Sequence, residues 1–426
     1  MKTSQVIASL TNFLVAASLG VVLRYAFVGD IAPLSYRHIM HAHSHIAMMG
    51  WIFMALFILI VYYFIPFERR EQQMYSKLFW ANQVIVILMG VAFLIQGYGP
   101  VSIGLAGMHV IIGYMFAYRV WNDITGSSVS AIMLQTSLIW LIISTLGLWL
   151  LPVVILTAGR NSEFYFMCVQ FFLHFQFNGW FVFSILALIF RKMEDSGQQL
   201  SFSGFKLFYF FLVVSCLLTY SLAVTWSNPK DILFTTNSAG VIFQIVALVL
   251  LYRLLREAKI FSDLSGVVYL KSFFVVALFS FVMKILIQAA VVIPSVAVIS
   301  YTIRQFVIGF IHLTLLGAVS GFIIALFLEN KMIPTSGSYA GKGMVLLITG
   351  LAGSEIVLFG QGILLWAERG YVDGYYIIIT LFSFLMAAGI LLIVIAVVKS
   401  KSFQSEEFKQ AHRLSSYRMF FNHLNK

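Results

Sequence analysis

Seven of the nine histidines in this chain fall in or at the edge of long apolar runs: His38, His41, His43, His45, His109, His174 and His312. An ionisable group in hydrocarbon is costly and marks function, and a neutral imidazole is the commonest metal ligand. Four of these histidines share a depth. Measured from the N-terminal end of its own run, each of His45, His109, His174 and His312 lies about nine or ten residues in, which puts all four roughly 13–16 Å below one surface. A metal or heme centre shared between helices requires such a layer. A single membrane histidine more often makes only an interhelical hydrogen bond. The segment Arg37-His-Ile-Met-His-Ala-His-Ser-His45 adds a local cluster. On a helix, His38, His41 and His45 share one face through i, i+3, i+7 spacing, and His43 points the other way.

The elements that must carry these side chains are membrane helices. Of 426 residues, 61% are hydrophobic and only 10% charged, whereas a soluble domain carries about 25% charge. A water-facing surface cannot be built from so few charges, which excludes a soluble enzyme. Apolar runs of about 20 residues predict twelve spans, at 5–28, 38–65, 75–97, 100–121, 131–157, 164–190, 203–226, 233–256, 267–297, 302–328, 343–367 and 374–398. The expected architecture is an all-α polytopic bundle forming one domain over 1–400, followed by a basic amphipathic tail over 401–426. Cys168 and Cys216 both fall within spans, so no disulfide framework is implied.

Charge orients the bundle. With the N-terminus inside, 20 of the 27 Lys and Arg residues lie on the inner side, six lie on the outer side and Lys284 lies within a span. Both termini are then cytoplasmic. The net charge of +11 reflects this asymmetry and contact with anionic membrane lipids, so it calls for no nucleic acid partner. Lys284 and Glu355 are expected near the histidine layer, where they can pair or serve a cofactor.

The stretch His43-Ser-His45-Ile-Ala-Met-Met-Gly50-Trp51, running on to Tyr62-Tyr63-Phe-Ile-Pro66, resembles the second helix of heme–copper oxidase subunit I. The likeness lies on the cbb-type and nitric oxide reductase side, and the stretch is also similar to the His-Ala-His-x5-Gly pattern of NnrS-type heme- and copper-binding proteins. His312-Leu-Thr-Leu-Leu-Gly317-Ala318 is similar to the tenth helix of the oxidase family, which carries heme ligands. The resemblance implies a heme–copper oxidase subunit I-like bundle in a bacterial inner (plasma) membrane. It implies heme b held by His45 and His312, with His41 and His43 as further imidazoles beside it. His174 stands where the family places a copper ligand, and His109 with His174 would serve a second cofactor or copper. Arg304 and Arg369 lie at the outer edge, where heme propionates would emerge.

The departures are specific. Span 7 has no histidine to complete a copper site, and span 10 has one histidine where the oxidases have two. The implied function is therefore electron transfer or O2/NO handling with an incomplete ligand set. If the chain is an enzyme, it would be a terminal oxidase-like or nitric oxide-related oxidoreductase, working with a cytochrome or other redox partner subunit. The competing readings are a heme-free transporter or metal-handling permease that uses the same histidines, and an assembly subunit without cofactors.

Overall fold

The computed structural model describes residues 3–70, 72–198, 201–225, 228–257, 268–335 and 337–424, with the side chains of 257 and 401–424 excepted. The expected tail over 401–426 therefore lies outside the described side chains. The chain is an all-α polytopic membrane protein. Twelve helices are long and apolar enough to cross a membrane: Thr3–Tyr25, Tyr36–Phe64, Gln73–Gln96, Pro100–Asp123, Val129–Thr157, Glu163–Asp195, Phe202–Thr225, Asp231–Arg256, Val268–Ala290, Arg304–Glu329, Ser338–Trp366 and Tyr375–Ser400. They are called spans 1 to 12. Spans 2, 6 and 10 form the inside of the bundle, 83%, 72% and 83% buried, while the other nine are 33–50% buried. Those outer spans turn apolar side chains such as Ile95, Leu156 and Ile356 outward, as a lipid-facing surface requires.

One end of the bundle carries the starts of the even-numbered spans and is called the histidine end. The opposite, basic end carries Arg69, Arg70, Arg119, Arg191 and Lys192. There the buried carboxylate of Asp123 accepts hydrogen bonds from Arg69 Nη1 (2.8 Å) and the Tyr75 hydroxyl (2.8 Å), and pairs with Arg119 Nε (2.8 Å). This clamp pins the link between spans 2 and 3 to the end of span 4.

The run expected over 267–297 is interrupted. Span 9 stops at Ala290, and a separate short helix, Pro294–Thr302, begins with Pro294 in its first turn. Proline has no N–H for the helix ladder and its ring clashes with the carbonyl four residues back, so it opens a helix where it cannot continue one. Spans 5 and 7 break more gently, at Thr145 and Thr219, whose hydroxyls donate to the backbone carbonyls of Ile142 (2.6 Å) and Ser215 (2.7 Å).

The three inner spans share one further feature. Each widens into a π-helical segment directly after a histidine: Ile46–Ile52 after His45, Phe175–Phe181 after His174, and Leu313–Ser320 after His312. Such segments are rare and concentrate at functional sites. Here they are tied to their neighbours by polar side chains. Trp51 Nε1 donates to Ser320 Oγ (2.8 Å), joining the widened parts of spans 2 and 10. Asn12 Nδ2 on span 1 donates to the Gly50 carbonyl (2.9 Å). Ser320 Oγ in turn donates to the Leu315 carbonyl five residues back (2.7 Å). At Gly317 an added Cβ would stand 2.3 Å from Ser280 Oγ, so only glycine lets span 9 approach this part of span 10.

Candidate functional site

Counted from the first residue of each span, His45, His109, His174 and His312 lie about eight to eleven residues deep, roughly 12–17 Å from the histidine end. The common depth is present, but the four imidazoles do not meet at one point. They divide around span 2.

His43 faces span 1. Its Nδ1 donates to the Ala16 carbonyl (2.8 Å), which leaves Nε2 free to act as a ligand. Its ring lies so close that a Cβ on Gly20 would stand 3.2 Å from His43 Cε1. Arg24 lies within electrostatic reach of both His43 and His312. His312 Nδ1 is sealed from solvent and has no partner among the described residues. Arg24 also lies within electrostatic reach of Tyr36, Arg304, Tyr375 and Glu355. Both Glu355 carboxyl oxygens are likewise sealed and unpartnered among the described residues. Arg304 Nη2 donates to the Tyr36 hydroxyl (2.6 Å), closing the group at the histidine end. These polar groups are carried by spans 1, 2, 10, 11 and 12.

His45 faces the opposite way, toward spans 3 and 4. Its Nδ1 donates to the His41 carbonyl (2.8 Å), and its ring lies 4.1 Å from that of Phe93. The His41 ring meets Tyr98 edge-on at 4.3 Å. His109 Nδ1 donates to Asn82 Oδ1 (2.8 Å). His43 and His45 thus face different neighbours across span 2.

His174 stands apart from both pairs. Its Nε2 donates to the Cys216 carbonyl (2.8 Å) and its Nδ1 accepts from Asn178 Nδ2 (3.3 Å), so both ring nitrogens are engaged within the protein. Lys284 does not pair with Glu355. Its Nζ donates to Gln288 Oε1 (2.7 Å), and it lies only about six residues from the end of span 9, because that span stops at Ala290. Arg369 is exposed in the link between spans 11 and 12.

Among the described residues, no three His, Cys, Asp or Glu side chains are grouped to hold a metal ion. Two imidazoles suffice, however, for a cofactor that brings its own equatorial nitrogens. A porphyrin needs only two axial ligands, plus cations near its propionates. The unpartnered His312 Nδ1 marks a ring with its polar capacity unspent, and Arg304 is a cation at the same end of the bundle. Sequence reasoning missed Arg24 and the Trp51–Ser320 tie. A signal for the first was present, in that small Ala16 and Gly20 lead to Arg24 at four-residue intervals on one helix face. No signal in the sequence marks the second.

Comparison with protein-family models and with curated proteins returned no match.

Proposed function

We propose that this chain is a heme-binding integral membrane protein of the heme–copper oxidase subunit I type, working in electron transfer or O2/NO handling, with one heme b held by His43 and His312. The observation that carries the reading is the sealed His312 Nδ1, unpartnered among the described residues, at the common histidine depth. His43 takes the place that the sequence reading assigned to His45, because its ring turns toward span 1 while that of His45 turns toward Phe93 of span 3. A bound heme supplies one-electron redox chemistry.

The chain's own residues do the rest. The Ala16 carbonyl holds the Nδ1 proton of His43 and so orients Nε2 for ligation. Gly20 leaves room for that ring. Arg24 and Arg304 offer cations to acidic substituents at the histidine end. Electron exchange then calls for a partner cytochrome or redox subunit at that end. A bacterial inner membrane with cytoplasmic termini belongs to the same proposal, and the distribution of Lys and Arg supports it.

The test is a reduced-minus-oxidised optical spectrum of the purified full chain, with metal quantification. A Soret band that shifts on reduction is expected, lost in both His43→Ala and His312→Ala and retained in His45→Ala. Colourless protein from heme-replete cells would sink the reading, and bound transition metal in that colourless protein would favour the permease alternative.

A further inference from the structure

A cavity lies at the basic end of the bundle, far from the histidines. It has a volume of about 440 Å³, and its lining includes Tyr62, Arg70, Ser128, Arg191, Asp195 and Asn330. That volume is within the range of small-molecule sites, roughly 300–1,000 Å³. Its walls are the basic ends of spans 2, 6 and 10 and the link between spans 4 and 5. Spans 2, 6 and 10 are the most enclosed helices of the bundle, so the cavity opens on the aqueous face of the basic end and not sideways to lipid.

Two arginines are set in it with their planes fixed. Arg70 Nη1 donates to the Tyr62 carbonyl (3.0 Å), and its guanidinium lies over the rings of Tyr62 (5.4 Å) and Phe67 (5.7 Å). Arg191 pairs through Nε with Asp195 (3.1 Å) and lies over the Phe64 ring at 5.8 Å. The Nε atoms of both are sealed from solvent, while the Arg191 side chain as a whole is 35% exposed. Held this way, a guanidinium loses little freedom on binding and presents a fork that matches phosphate and carboxylate oxygens. Asp195 offsets one of the two charges, so the lining keeps a net positive charge.

We propose that this cavity is a binding site for a soluble, phosphate-bearing small molecule, gripped by Arg70 and Arg191 from the basic side of the membrane. The phosphate of a lipid headgroup offers the same chemistry, but its acyl chains would have to leave the centre of the bundle. The site stands independently of the heme reading. It is tested on the full chain in detergent by titration calorimetry and thermal melting, with pyrophosphate and inorganic phosphate as probes against chloride at equal ionic strength.

Pyrophosphate is expected to bind and to raise the melting temperature where chloride does not. Arg70→Gln and Arg191→Gln are expected to weaken it at least about tenfold each, and the charge-retaining Arg70→Lys and Arg191→Lys to weaken it less. Lys206→Gln, which removes a cation from the same end outside the cavity, is expected to leave binding unchanged. Equal effects of chloride and pyrophosphate on the wild-type chain would overturn the proposal without recourse to any variant. So would undiminished binding in the Arg70→Gln/Arg191→Gln double variant. Loss of pyrophosphate binding in nanodiscs containing phosphatidylglycerol, with binding kept in phosphatidylcholine alone, would assign the cavity to a lipid headgroup and overturn the soluble ligand.

Discussion

Two imidazoles separated by one residue serve opposite sides of span 2. His43 is oriented by a backbone carbonyl of span 1, and His45 by the carbonyl of His41 on its own helix. The space for His43 depends on Gly20. A methyl at that position stands 3.2 Å from His43 Cε1, closer than an ordinary contact, so the ring must shift. Gly20→Ala is expected to leave the chain folded, at a cost of about 1 kcal/mol, and to change the Soret position or the midpoint potential, read by spectroelectrochemistry. Unchanged spectra would show that His43 is not a ligand. Glu355 is a carboxyl group with both oxygens sealed from solvent, and its nearby charge is Arg24. Arg24→Gln is expected to destabilise the chain by about 1–3 kcal/mol, because it strips Glu355 of that compensation. Adding Glu355→Gln to it is expected to recover part of the loss in a thermal melt.

At the scale of the element, the π-helical segments separate the readable from the unreadable. Apolar length and proline position told where helices run, and the expected bounds agree closely except where Pro294 divides the ninth run. Side-chain direction was less accessible. Face assignment by a 3.6-residue period drifts once an extra residue enters a turn, and nothing in Ile46–Ile52 or Leu313–Ser320 advertises the widening. Two such segments are joined by the Trp51–Ser320 hydrogen bond, which ties spans 2 and 10 together. Trp51→Phe preserves an aromatic ring to stack on Phe13, now at 4.4 Å and 5°, so its effect isolates the hydrogen bond. Trp51→Phe and Ser320→Ala are each expected to cost about 0.6–2 kcal/mol. The double variant is expected to cost no more than the larger single loss, as checked by melting the four proteins of the cycle. At the basic end, Asp123→Asn is expected to destabilise by about 1–3 kcal/mol, held to that range because Arg69 and Arg119 can turn to water.

For the whole molecule, the candidate spans among the described residues are even in number, and the excess of Lys and Arg at the basic end predicts that both termini lie in the cytoplasm. Reporter fusions after Ser400 and in the link between spans 9 and 10 are expected to read cytoplasmic and external, respectively; the reverse pattern would invert the orientation. Fold class, span number and the common depth of His45, His109, His174 and His312 were determined by the sequence alone. They follow from the run length needed to cross hydrocarbon and from a constant rise per residue, both of which can be counted along a chain. The partners of each histidine were decided only by the tertiary structure. Which face of span 2 meets span 1, and which meets spans 3 and 4, depends on helix rotation and on close approaches at Gly20 and Gly317. In a bundle whose neighbours are as apolar as lipid, small residues and scattered hydrogen bonds set that rotation, and they act between segments tens to hundreds of residues apart.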